Sequence, residues 1–201
     1  MSEAAQQSEQ PPVGGVGPRE RLLDAAIEYV AANGMGELSL RRLAAGIGTS
    51  HRMLIHHFGS KAQLRVAIVQ AVEARQRELL ADLLPDAAEA PGEQLWTWWK
   101  HISAPALWPQ ERLFFELYGQ ALQGRAGAAG MLEGVVERWV EPVAAQGVAE
   151  GRSPALAHAQ ARLGIAVTRG LLLDLLATGE VEAVDEAMRA FIEIYSAAQG
   201  R

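Results

Sequence analysis

Apolar residues recur at helical spacing along almost all of the 201-residue sequence, and no run alternates as a strand would. This confines the chain to an all-α fold. Leu23, Ile27 and Val30 form a first stripe, opened by Pro18 as a first-turn proline and closed by Gly34. Leu40, Leu43, Ala44 and Ile47 repeat at i, i+3, i+4 and i+7 behind Ser39 as N-cap, and Gly46 and Gly48 break that helix. A second short helix carries Leu54 and Phe58 on one face. Gly59 to Gln63 then reads as a restart, with Ser60 and Gln63 at capping-box spacing. The helix that follows turns Leu64, Ile68, Ala71 and Val72 inward and runs to about Leu84, long enough to bridge two domains.

Punctuation divides the rest. Pro85 to Pro91 reads as a linker, and five further helical segments follow, separated by Pro105–Pro109, Gly124–Gly130, Gly151–Pro154 and Thr178–Gly179. Pro142 is expected to kink the third of them. Residues 1–17, polar and rich in Gln, Gly and Pro without a signal-peptide pattern, read as a disordered tail. The boundaries expected are thus 1–17 for the tail, 18–65 for a head and 66–201 for a body.

Composition narrows the chemistry. The absence of cysteine excludes disulfides, thiolate metal sites and cysteine nucleophiles, and fits a cytoplasmic location. The most apolar stretch, Leu163 to Leu176, is interrupted by Arg169 and Asp174 and falls short of the roughly 20 residues of a membrane span. The net charge of −6 is unevenly spread. Pro18 to Arg65 holds seven basic and four acidic residues, +3, whereas the tail carries −2 and Val66 to Arg201 carries −7. A basic head on an acidic body suits two different partners.

Two short helices joined by a Gly-containing turn, behind a third, have the spacing of a helix-turn-helix. A major groove about 12 Å wide admits one helix, and Leu40, Leu43, Ile47, Leu54 and Phe58 would form the small core that holds it there. The opposite face offers His51, Arg52, Ile55 and His56. The run from Leu43 to Leu64, LAAGIGTSHRMLIHHFGSKAQL, closely resembles the DNA-binding signature of the TetR family. That signature has a Gly turn, a Ser or Thr, a Leu-Tyr-x-His-Phe ending and a Lys shortly after, and the likeness extends back through the first helix over about 50 residues.

The resemblance implies a role for each matching position. Thr49 and Ser50 would cap the recognition helix and donate to phosphate, while His51, Arg52 and Met53 approach base edges, Arg52 being suited to a guanine through its fork. Lys61 would meet a phosphate at the start of the fourth helix, Arg41 and Arg42 would lie at the groove edge, and His56 and His57 complete the DNA-facing set. Ile55 stands where the family usually has a backbone-contacting Tyr; it cannot donate, so a phosphate contact is lost or a thymine methyl is touched instead. Spacings of five and one do not make His51, His56 and His57 a chelating set, and no metal or other cofactor is expected.

The resemblance also implies that the body binds a ligand and dimerises, giving a homodimer that reads a palindromic stretch of double-stranded DNA, with repression as the default. Leu95, Trp99 and Ile102 form one body stripe, Phe114, Tyr118 and Leu122 another, and Leu132, Val136, Trp139 and Val143 a third. Trp99, Ile102, Phe114, Tyr118, Trp139 and Arg169 are the expected pocket residues, and four tryptophans between positions 96 and 108 suggest an apolar or aromatic small molecule. Arg169 and Asp174 are open to two readings, pocket contacts or a pair at the dimer interface. The last two helices carry Leu156, Leu163, Val167 and Leu171, then Val184, Met188, Ile192 and Tyr195. The rival reading, a helical enzyme, finds no Glu-x-x-His pair, Gly-x-Ser-x-Gly elbow or Gly-rich phosphate loop. A scaffold without DNA affinity has only Ile55 and the acidic total in its favour.

Overall fold

A computed structural model describes residues 17–33, 39–83 and 91–199. The tail expected over 1–17 (Gly17 apart), Gly34 and the linker expected over 85–91 (Pro91 apart) lie outside the described residues. Those described form helices α1 (Pro18–Asn33), α2 (Leu40–Gly46), α3 (His51–Phe58), α4 (Lys61–Leu83), α5 (Pro91–Ile102), α6 (Trp108–Leu122), α7 (Glu137–Ala149), α8 (Pro154–Thr178) and α9 (Val181–Gln199), with short 3-10 turns at Pro105–Leu107 and Ala126–Met131. There is no strand among them, and none of these helices is long and apolar enough to cross a membrane.

Local chemistry sets the head. Pro18 opens α1, and Ser39 caps α2 by accepting the Arg42 N–H at 3.2 Å. α2 then ends in a Schellman turn: Thr49 N–H donates to the Ala44 carbonyl at 2.9 Å and Gly48 N–H to Ala45, with Gly48 left-handed at φ 69°. Gly46 is required for a different reason. A Cβ there would meet the Tyr29 ring of α1 at 2.0 Å, so its bare backbone lets α1 and α2 close on each other. Ser50 alone caps α3, accepting the Met53 N–H at 3.1 Å, whereas Thr49 is spent on the turn. Ser60 accepts from the Gln63 N–H at 3.1 Å and starts α4.

One core joins head and body. Ala26, Ile27 and Val30 of α1, Leu43 of α2, Leu54 and Phe58 of α3 and Leu64, Ile68 and Val72 of α4 pack into the same cluster as Leu113, Phe114 and Leu117 of α6. Leu40 and Ile47 border it, half-buried. The cluster crosses the expected boundary between residues 65 and 66, and the ion pairs Asp24–Arg75 and Arg65–Glu116 tie α1 to α4 and α4 to α6. A second cluster, around Trp98, Trp99, Trp139, Leu172, Leu175, Val184 and Met188, holds α5, α7, α8 and α9 together. Pro142 lies inside α7.

The expected α9 stripe splits from its outer face. Val184 and Met188 are buried in the chain's own core, so that stripe is intramolecular. Facing outward instead are Ala183, Ala187, Ala190, Ile194 and Ala197, and on α8 Leu156, Ala159, Leu163, Ala166, Gly170, Leu173 and Ala177, every one exposed. The spacing is three and four in turn throughout, the spacing that packed helices use.

Candidate nucleic-acid interface and central cavity

α3 presents two faces. Leu54 and Phe58 are buried beneath it, and His51, Arg52, Met53, Ile55 and His56 are exposed above. Arg41 and Arg42 on α2 and Lys61 at the first position of α4 are exposed as well, while Ser50 stands exposed at the N-terminus of α3 and Thr49 is half-buried. His57 lies apart from this set: it is half-buried, edge-on to His56 and Phe58, with Nε2 enclosed and unpartnered. Ile55 is 37% exposed and Met53 40%, an uncovered apolar pair on α3. Among the described residues no group of His, Asp or Glu side chains is arranged to hold a metal ion.

About half-way along α4 the chain opens a small cavity that is partly open to solvent. Five helices line it: α4 with Glu73 and Gln76, α5 with Trp98 and Ile102, α6 with Glu111, Phe114 and Phe115, α7 with Trp139, and α8 with Ile165, Thr168, Arg169 and Leu172. Of the six residues expected to line a pocket, Ile102, Phe114, Trp139 and Arg169 meet here. Trp99 does not, because it is turned into the α5–α9 seam, where its indole N–H donates to Asp185 at 2.7 Å. Tyr118 stacks on Phe114, ring centroids 5.5 Å apart, from the side of the head-and-body core. Arg169 and Asp174 part ways as well. Arg169 reaches the cavity, whereas Asp174 is exposed on the outer side of α8.

The polar residues of the cavity form two hydrogen-bonded groups. The Trp139 indole N–H donates to Glu73 Oε1 at 3.1 Å, Gln76 Nε2 donates to Glu111 Oε1, and Arg169 donates to the Val135 carbonyl at 2.6 Å with Glu73 Oε1 at 3.7 Å. Burial pushes the Glu111 carboxyl up to about 7, against the Gln76 hydrogen bond. Burial also raises Glu73, opposed by the Trp139 hydrogen bond and by Arg169, Arg77 and Arg138. It lowers the Arg169 guanidinium, which Glu73 pulls back. Glu73, Gln76 and Glu111 were not singled out from the sequence, although each sits on an otherwise apolar helical face: Glu73 and Gln76 between Val69 and Leu80, Glu111 three residues before Phe114.

Residues 22–68 match the model of the family described as bacterial regulatory proteins, tetR family. No curated protein matches the chain. Among solved structures, the chain is similar to a transcriptional regulator from Rhodococcus sp. Rha1 (TM-score 0.67, 19% identity, 89% of this chain and 96% of that one). It is similar also to a TetR transcriptional regulator from Legionella pneumophila (0.65, 18%, 88% and 96%). A third is the multidrug binding protein EbrR complexed with proflavin (0.61, 24%, 88% and 98%). These likenesses establish the fold. The family match thus rests on residues 22–68, and the rest of the chain shares the fold of these solved regulators.

Proposed function

We propose that the protein is a cytoplasmic, non-enzymatic repressor, a homodimer that holds a palindromic operator and releases it when a small, largely apolar effector fills the cavity. The observation that carries this reading is the course of α4. The helix begins at exposed Lys61 beside the reading face and forms a wall of the cavity at Glu73 and Gln76. An occupant that moves Glu73 or Gln76 acts on the same rigid element that positions the head. The likeness to EbrR, which is solved with proflavin bound, supports ligand binding by a body of this fold.

His51, Arg52 and Met53 are the proposed base-reading residues, with Ile55 and His56 beside them on the same exposed face. Arg41, Arg42, Ser50 and Lys61 are the proposed phosphate contacts. Thr49 serves the turn before α3, and His57 contributes through the packing at the end of α3. Trp98, Ile102, Phe114, Phe115, Trp139 and Arg169 are the proposed effector contacts. Dimerisation is supported by the exposed three-and-four seam on α8 and α9, which would pair with its copy in a four-helix interface. Gel shift against DNA from upstream of the chain's own coding region tests the regulator. It should bind there with affinity that falls steeply with salt, and an enzyme or scaffold of the same fold would show no such binding.

A further inference from the structure

The walls of the cavity and its charges make different demands on an occupant. Trp98, Trp139, Phe114 and Phe115 offer aromatic surface, while Glu73 and Glu111, each 6% exposed, bring two carboxyls into a space with little water. A buried carboxylate is costly unless it is paired, and the pairing here is unequal. Glu73 has the Trp139 N–H and, at 3.7 Å, the Arg169 guanidinium. That guanidinium is itself engaged, donating to Val135 and lying over the Phe114 ring at 5.3 Å from its centroid. Arg77 and Arg138 act on Glu73 from α4 and α7. Among the described residues, the side chain that hydrogen-bonds Glu111 is the neutral amide of Gln76. The groups that face Glu111 are therefore Gln76, Glu73 and Arg169, and inside the cavity two acids share one cation.

Resting on the reading of this cavity as the effector site, we infer that the effector is an aromatic cation, with its ring system among Trp98, Trp139 and Phe114 and its positive charge against Glu111. An anion would have to draw Arg169 away from both Glu73 and Val135 while sitting beside two carboxyls. A neutral apolar molecule would bury Glu111 further and relieve nothing. A cation supplies the missing charge and gains from the aromatic faces. The raised Glu111 carboxyl fits this arrangement: below about pH 7 it holds a proton in the empty cavity, and it releases that proton to solvent when the cation takes its place.

Three probes of one shape separate the possibilities: benzyltrimethylammonium, its neutral isostere neopentylbenzene, and the anion benzylsulfonate. Each is titrated into the full chain and followed by tryptophan fluorescence. The cation should bind at least tenfold tighter than either of the others. Its affinity should fall about tenfold between pH 8 and pH 6 as Glu111 takes up its proton. Glu111→Gln should remove that tenfold advantage and the pH dependence while leaving neopentylbenzene within twofold. Equal or tighter binding of the neutral or anionic probe would overturn the inference and leave the cavity standing as the effector site. A preference for the cation that survives Glu111→Gln would overturn the assignment to Glu111. Binding of none of the three would count against the effector site itself. Should Glu111→Gln fail to fold, the charge series and the pH dependence of the unaltered chain still decide the question.

Discussion

At Glu111 a carboxyl stands on the buried face of α6, and its proton becomes part of the folding equilibrium. Between the usual value of 4.5 and about 7, the folded chain holds a proton that the unfolded chain has released. Stability therefore falls as pH rises through that window and levels off above it. The loss expected is at most on the order of 3 kcal/mol. Urea unfolding at pH 5 and pH 8 reads it directly, and Glu111→Gln should gain stability relative to the unaltered chain at pH 8 and not at pH 5. Part of the slope should persist in that variant, because burial raises Glu73 in the same direction. On the reading face the residues divide by what they would touch. Arg52→Ala should cost about 1–3 kcal/mol on a cognate site and relax its sequence preference, whereas Lys61→Ala should weaken all sites alike and lower the salt slope by about 1.

Single elements carry the next set of consequences. α3 has only eight residues, too few to be stable alone, so its N-cap and its two buried anchors decide whether it forms. Ser50→Ala should cost about 1 kcal/mol through the lost Met53 contact, and Leu54→Ala about 3 kcal/mol through the cavity left under the helix. Both are measured by thermal unfolding. This level was largely legible in the sequence. The caps at Ser39 and Ser60, the Gly48 turn and the five helices from α5 to α9 follow from local rules of spacing and capping. Tertiary choices were not. Trp99 and Trp98 are neighbours on α5, yet Trp98 lines the cavity and Trp99 is turned to Asp185, a distinction that depends on α9 arriving 86 residues later. Glu73 and Gln76 left a readable trace, polar residues within an apolar stripe, but which polar groups would meet across five helices needed the fold. Arg169 and Asp174, five residues apart on α8, face nearly opposite ways for the same reason.

At the scale of the molecule, one core runs from α1 to α6, and in the proposed dimer the outer faces of α8 and α9 would meet a second copy. Leu163→Asp, on the exposed seam and away from both cavity and head, should leave helicity unchanged and convert a dimer into a monomer in sedimentation. DNA affinity should drop with it, since a single head keeps only half the contacts. Two heads related by a two-fold axis would reach successive major grooves about 34–36 Å apart, which gives the central claim its most direct measurement. Purified protein is mixed with randomised duplex DNA at low salt, and the bound fragments are sequenced. An inverted repeat should emerge whose half-sites lie one helical turn or a multiple of it apart, and it should be lost in Arg52→Ala. Recovery of no enriched sequence, or of one without two-fold symmetry, would contradict a dimer that reads DNA through α3.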